Sequence, residues 1–234
     1  MTVLDLTAVD FEELAIRAGE ELEDAPAEEI LSWAADTFGS GLAVTASMQD
    51  GLLPHLAARV RPGIDVVFLD TGYHFAETIG TRDAVAAVTN VTLLSITPRR
   101  SVAEQDAEYG PRLYERDPDR CCALRKVEPL ERALAPYSAW ATGLRREESP
   151  TRAGTKVVTW DAKRAKVKIS PIARWTEADV QTYIAEHGVV INPLQFDGYP
   201  SIGCAPCTRR VAPGADPRSG RWAGRAKSEC GLHT

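Results

Sequence analysis

Five cysteines occupy three places in this 234-residue chain. Cys121 and Cys122 are adjacent, Cys204 and Cys207 form a C-x-x-C in the turn-forming stretch GCAPC, and Cys230 stands alone with four residues after it. A C-x-x-C lets two thiolates converge on one metal centre, although either pair by itself is more often structural or incidental. Neighbouring residues on a helix point about 100° apart, so adjacent cysteines do not easily grip one small ion. A [4Fe–4S] cluster takes one thiolate per iron and accepts side chains splayed in this way, whereas zinc demands a tighter tetrahedron. Cys121, Cys122, Cys204 and Cys207 are therefore read as ligands of an iron–sulfur cluster in preference to zinc.

That leaves Cys230 as the free thiol. Arg225, Lys227 and His233 stand near it in sequence and favour a thiolate, while Glu229 beside it works the other way. The odd cysteine count and clustered spacing argue against a structural disulfide framework. With no signal-peptide pattern and no apolar run long enough to span a bilayer, the expected location is cytoplasmic and no membrane partner is expected.

Charge is unevenly distributed. Net charge is −6, yet residues 1–36 hold eleven acids against Arg17, and residues 204–227 hold six bases against Asp216. An acidic protein is not a general nucleic-acid coat, whereas the basic C-terminal stretch suits a small anion. Apolar residues at 44% and charged residues at 26% are those of a folded globular chain.

The elements that must position these groups follow from periodicity. Acidic amphipathic helices are expected near residues 10–24 and 27–38 as a solvated cover, with Pro26 starting the second. GLAVTAS (41–47), IDVVFLD (64–70) and VTLLSIT (91–97) are β-branched runs separated by helical stretches, a βαβαβ rhythm. A helix near 120–135 precedes a fourth strand at 138–143, and weaker strand signals lie at 156–160 and 165–170. Thr176 caps a further helix that Gly188 ends. From Asn192 onward prolines interrupt every period, so the predicted organisation is acidic N-terminal helices (1–38), an α/β nucleotide-binding domain with a mostly parallel sheet (39–191), and an irregular C-terminal segment (192–234) belonging to the same domain.

Several blocks together resemble a known family. RCCALRKVEPLERAL, GCAPCTRRV, DPRSGRW, ECGLH, VVFLDTGYHFAET and TGLRREESPTR are similar to the assimilatory adenylyl-sulfate reductases, the iron–sulfur branch of the APS/PAPS reductase family, over about residues 30–234. The resemblance implies a Rossmann-like fold of the adenine-nucleotide α-hydrolase type. It implies reduction of adenosine 5′-phosphosulfate (APS) to sulfite and AMP in sulfate assimilation for cysteine biosynthesis. Cys230 is then the nucleophile that forms an S-sulfocysteine, and thioredoxin or glutaredoxin is the electron donor. A nucleophile that closes over a nucleotide and then presents its adduct to another protein has to swing, which a C-terminal segment allows.

Further site residues follow. Lys126, four residues after Cys122, shares its helix face and matches the family's lysine near cluster and sulfate. Arg218 and Arg221 match the arginines of DPRxGRW, Gly143 falls near the nucleotide, and Arg152 falls near its anionic groups. Arg145 is a further candidate, with surface ion pairing as its plainer role. Leu69 and Gly72, after the second strand, are expected to offer backbone groups to adenine or ribose. The first-strand turn, VTASMQDGLL, departs from the SGxxD-like loop of many relatives, so Thr45, Ser47 and Asp50 carry the expected contacts there. His233 is a candidate tuner of Cys230, while His55 and His187 read as helix-surface residues.

Three rival readings stand beside this one. A reductase of the 3′-phosphorylated nucleotide (PAPS) differs in substrate alone. An ATP pyrophosphatase needs a glycine-rich SGGxDS loop that TASMQDGLL lacks. A zinc module binding nucleic acid through Arg209 to Arg225 lacks an aromatic platform beside the arginines. Homo-oligomer formation is left open by the sequence.

Overall fold

The computed structural model describes residues 10–225, 227 and 229–233. Helices α1 (Phe11–Glu21) and α2 (Ala27–Phe38) precede β1 (Leu42–Thr45). Then come α3 (Leu52–Val60), β2 (Ile64–Leu69), α4 (Ala76–Val88) and β3 (Val91–Ile96). Short helices α5 (Val102–Tyr109), α6 (Leu113–Arg116), α7 (Pro118–Cys122) and α8 (Glu128–Leu134) lead into β4 (Ala139–Thr142). The regular structure closes with β5 (Val158–Asp161), β6 (Lys166–Ile169) and α9 (Glu177–His187).

The six strands run in the order β3-β2-β1-β4-β6-β5. All neighbours are parallel except β5, which pairs antiparallel with β6. The chain winds outward from β1 to β3 and then returns to place β4 on the other side of β1. This reversal leaves a crevice at the carboxyl ends of β1 and β4, where α/β sheets bind ligands.

The acidic helices are more than a solvated cover. Their inner faces place Ala15, Ala18, Ile30, Leu31, Ala34 and Phe38 in the main core, while their acids face outward. The amphipathic period that identifies a surface helix also supplies a buried stripe, and here that stripe packs on the sheet. Gly19 allows α1 to approach closely: a Cβ there would lie 2.6 Å from the Val158 carbonyl oxygen. A second core lies on the other face of the sheet, where Ala43, Val67 and Trp140 meet Leu130 and Leu134 of α8.

The helix expected near 120–135 is divided. Asp117 caps α7 by accepting from Arg120 N at 2.9 Å. Ala123–Val127 is π-helical, with Glu128 N–H donating five residues back to Ala123. Pro129 has no N–H for the α-helical bond to Arg125, so the ladder is already broken at this point. The pairing directions of β5 and β6 also lie beyond what their strand signals indicate.

Candidate active site

A large cavity opens at the β1/β4 reversal, walled by the turns after β1, β2 and β4 and by the C-terminal segment. Thr45, Ser47, Asp50, Leu69, Gly143, Arg145 and Arg152 border it from the sheet side. Lys126, Arg218, Arg221, Cys230 and His233 border it from the other. Gly72 does not. Its φ of 74° turns the chain over Arg125, whose Nη2 would lie 3.1 Å from a Cβ at this position. The glycine serves the turn that seats Arg125 instead of offering backbone to the cavity.

The turn after β1 holds itself together without a glycine-rich loop. Thr45 Oγ1 donates to the Ala141 carbonyl at 3.1 Å, joining the ends of β1 and β4. Met48 takes a φ of 60° with its side chain wholly buried. Asp50 Oδ1 accepts Leu52 N–H at 3.0 Å at the start of α3, and burial raises its carboxyl pKa against that bond and the charge of Arg145. Asn192, fully buried, braces the turn by donating to Met48 O at 3.1 Å and Thr78 Oγ1 at 3.0 Å. Ser47 remains exposed at the cavity edge.

After β2, His74 Nε2–H donates to the Leu69 carbonyl at 2.8 Å, and its ring lies 4.9 Å from that of Phe68. Burial lowers its pKa, so the imidazole is neutral. After β4, Arg145 is buried and pairs with Glu177 at 2.6 Å, while Arg146 pairs with Glu23 at 2.6 Å. His55 Nδ1 and Tyr183 Oη are 2.8 Å apart, and the His187 ring packs 4.2 Å from Tyr183, so this pair is part of the α3–α9 contact.

A second, smaller cavity gathers the four paired cysteines. Cys121, Cys122, Cys204 and Cys207 all wall it, with Tyr73, Tyr114 and Trp222. Thr71 Oγ1 lies 3.3 Å from Cys204 Sγ, and Ala205 N–H donates to Tyr73 O at 2.7 Å, tying the C-x-x-C to the turn after β2. Burial first, and neighbouring thiols next, push Cys121 up to about 12. Burial likewise pushes Cys122 up to about 11. Burial raises Cys207 as well, so these three thiols resist ionisation unless a cationic centre joins them, which fits a metal–sulfur core. Among the described residues no three His, Cys, Asp or Glu side chains are arranged around a single ion.

Lys126 and Trp222 border both cavities. The π turn does not remove Lys126 from the cysteine face. Burial acts against its charge, but its place beside Cys204, Cys230 and Cys122 outweighs this and raises its pKa. Trp222 N–H donates to Cys207 O at 3.0 Å, and the Arg221 guanidinium lies 4.7 Å above its ring.

The C-terminal segment lies across the large cavity. Glu229 receives Arg152 through two bonds of 2.9 Å each, and Arg218 Nη2 stands 3.3 Å away. Burial works against the Glu229 carboxylate, but Arg152 and Arg218 lower its pKa overall. Leu232 packs on the second core, and His233 stacks on Trp140 with centroids 5.7 Å apart and an interplanar angle of 6°. Burial, reinforced by Lys168, Arg152, Arg164 and Arg218, holds the His233 pKa well below its usual value. Glu229, Trp140, Trp222, Thr71 and Asn192 are functional-site neighbours that residue spacing did not single out; the partner of Glu229 lies 77 residues away.

The sheet order and switch-point cavity define a Rossmann-like adenine-nucleotide-binding fold. Residues 41–210 match the phosphoadenosine phosphosulfate reductase domain. An adenosine 5′-phosphosulfate reductase of Streptomyces coelicolor is 68% identical over 97% of this chain and 96% of that protein. One from Mycolicibacterium smegmatis is 59% identical over the same shares. Among solved structures, a phosphoadenylyl-sulfate reductase from Candida auris in its phosphate complex aligns with a TM-score of 0.72. It is 28% identical, with 87% of this chain and 98% of that chain covered. The chain belongs to the APS/PAPS reductase family, oxidoreductases that act on a sulfur group. Among its described residues, no helix is long and apolar enough to cross a membrane.

Proposed function

We propose that this protein reduces APS to sulfite and AMP in sulfate assimilation, with Cys230 as nucleophile. The observation that carries the reading is that Cys230 borders the switch-point cavity together with Lys126, Arg218 and Arg221. The Cys230 thiolate attacks the sulfur of the sulfate group, an S–S bond forms, the S–O bond to the nucleotide breaks, and AMP leaves with the electron pair. A dithiol reductant of thioredoxin or glutaredoxin type then attacks Cys230 Sγ, sulfite departs, and the resulting mixed disulfide is resolved by the second reductant thiol. Lys126 and the two arginines hold positive charge where the thiolate approaches an anionic substrate and where negative charge moves onto AMP. His233, neutral and packed on Trp140, fixes the end of the segment that carries Cys230. Thr45, Ser47, Asp50, Leu69 and Gly143 shape the nucleotide's side of the cavity.

Cys121, Cys122, Cys204 and Cys207 would hold the [4Fe–4S] cluster. When bound, such a cluster supplies an iron–sulfide core that takes one thiolate per iron and sets the charge on the far side of Lys126.

The test is intact-protein mass after anaerobic exposure to APS, or to its 3′-phosphorylated form, without reductant. One sulfonate added at Cys230 from APS alone is expected. Equal labelling by both nucleotides would assign a reductase that does not discriminate the 3′-phosphate. No adduct from either, on protein that retains its iron and sulfide, would overturn the reading.

A further inference from the structure

The described residues of the segment bearing Cys230 are tied to the body of the protein by side-chain contacts. Among the described residues, its backbone–backbone hydrogen bonds end with Arg225 N–H to Trp222 O at 3.0 Å. Beyond that point Lys227 pairs with Asp119, Glu229 enters the guanidinium pair, and His233 lies on Trp140.

Glu229 has the strongest geometry of these contacts. It takes the Nε and Nη2 donors of Arg152 in a two-pronged bond, and its Oε1 is also 3.4 Å from Thr151 Oγ1. Both partners are largely withdrawn from water, with side-chain exposures of 17% for Glu229 and 14% for Arg152. Such a charge-assisted fork is stronger and more directional than a surface ion pair. The third arm of the same guanidinium, Nη1, is held by Glu148, so Arg152 cannot swing away without losing another carboxylate.

Burial lowers the Arg218 pKa, and the neighbouring charge of Arg152 adds to this while Glu229 opposes it. Two guanidinium groups brought together at a cavity wall form an anion site, and in this closed form the anion is Glu229. An entering nucleotide brings its own phosphate and sulfate oxygens to the cavity those arginines border.

We propose that Glu229 is the positioning residue that latches Cys230 over the cavity, and that the anionic group of an incoming nucleotide competes with its carboxylate for Arg152 and Arg218. Closure of the segment and binding of the anion are therefore negatively linked in the ground state. This rests on Cys230 being the reacting thiol, but the latch itself is measurable without any sulfur chemistry.

The experiment uses the full-length, anaerobically prepared protein and its Glu229→Gln and Glu229→Asp variants. Two readouts are taken: the rate of Cys230 alkylation by iodoacetamide, mapped by mass spectrometry, and the affinity for AMP by calorimetry. Glu229→Gln is expected to alkylate about tenfold faster. It is also expected to bind AMP at least about fivefold more tightly. Its KM for APS should fall together with kcat. Glu229→Asp, which keeps the charge, should return both readouts toward the parent. Parent-like alkylation in Glu229→Gln, or AMP binding that is unchanged or weaker, overturns the proposal. Because neither readout needs turnover, an absent S-sulfo adduct would fell the functional reading while leaving this result to stand on its own.

Discussion

Residues 41–191 and residues 192–233 are built on different physical grounds. The first region is held by continuous burial: Phe68, Leu130 and Trp140 are almost fully withdrawn from water, and each strand is fixed by a ladder. The second has a few buried apolar anchors, Leu194, Ile202 and Trp222, and is otherwise tied by individual polar contacts. Arg225 reaches Tyr114 O at 2.6 Å, and Arg221 reaches Ile202 O at 3.2 Å. A core averages its support over many atoms, so its geometry tolerates changes of pH and salt. A segment tied by single charges responds to both. On the proposed mechanism, this division lets the sheet present a fixed nucleotide site while the cysteine-bearing segment opens and closes.

Substitutions should separate the two regions. The largest effect on chemistry is expected from Cys230→Ser: adduct formation and turnover fall by more than about 10³-fold. Its thermal midpoint should stay at the parent value, and a lowered midpoint would show that the segment supports the core. The largest effect on stability is expected from Phe68→Ala, about 3–5 kcal/mol by urea denaturation. Asn192→Ala should cost about 1–3 kcal/mol by the same measurement, since Met48 O and Thr78 Oγ1 lose a buried partner.

Acid should act on His233 in the second region and, by the same linkage, on buried His74 in the first. His233 has a lowered pKa when docked, so its contribution is intact above its ordinary value of about 6.5 and is lost progressively as pH falls below it. Iodoacetamide labelling of Cys230, corrected for thiolate fraction, should therefore accelerate between about pH 6.5 and 5 while circular dichroism stays constant. The smallest effect is expected from Lys227→Ala, whose partner Asp119 is 83% exposed. That pair contributes less than about 1 kcal/mol, and added salt should erase the difference.

Much of the sheet was legible in the sequence because local chemistry and global position agree there. The β-branched runs became β1 to β3 within two residues at each end, and Thr176 caps α9 as its type and place suggest. The two cysteine pairs were legible through spacing. The direction of β5 was not, since pairing is chosen by a partner strand and not by the run itself. Glu229 was read as an opponent of thiolate formation from its place beside Cys230, and only the fold shows that Arg152 and Arg218 absorb its charge. The division of the 120–135 helix could have been found: Pro129 marks where an α-helical ladder lacks a donor.

That π turn bears on what sequence changes the protein can accept. It holds one residue more than a regular helical turn, so Cys121 and Cys122 before it and Leu130 and Leu134 after it are phased by that extra residue. Were residues 123–127 to close as a regular α-helix without losing a residue, its two halves would rotate by about 100° against each other. Either the cysteines would leave their cavity or the leucines would leave the sheet. Loss of one residue within the stretch would let the turn close regularly with the phase kept, so its length can give where its shape cannot.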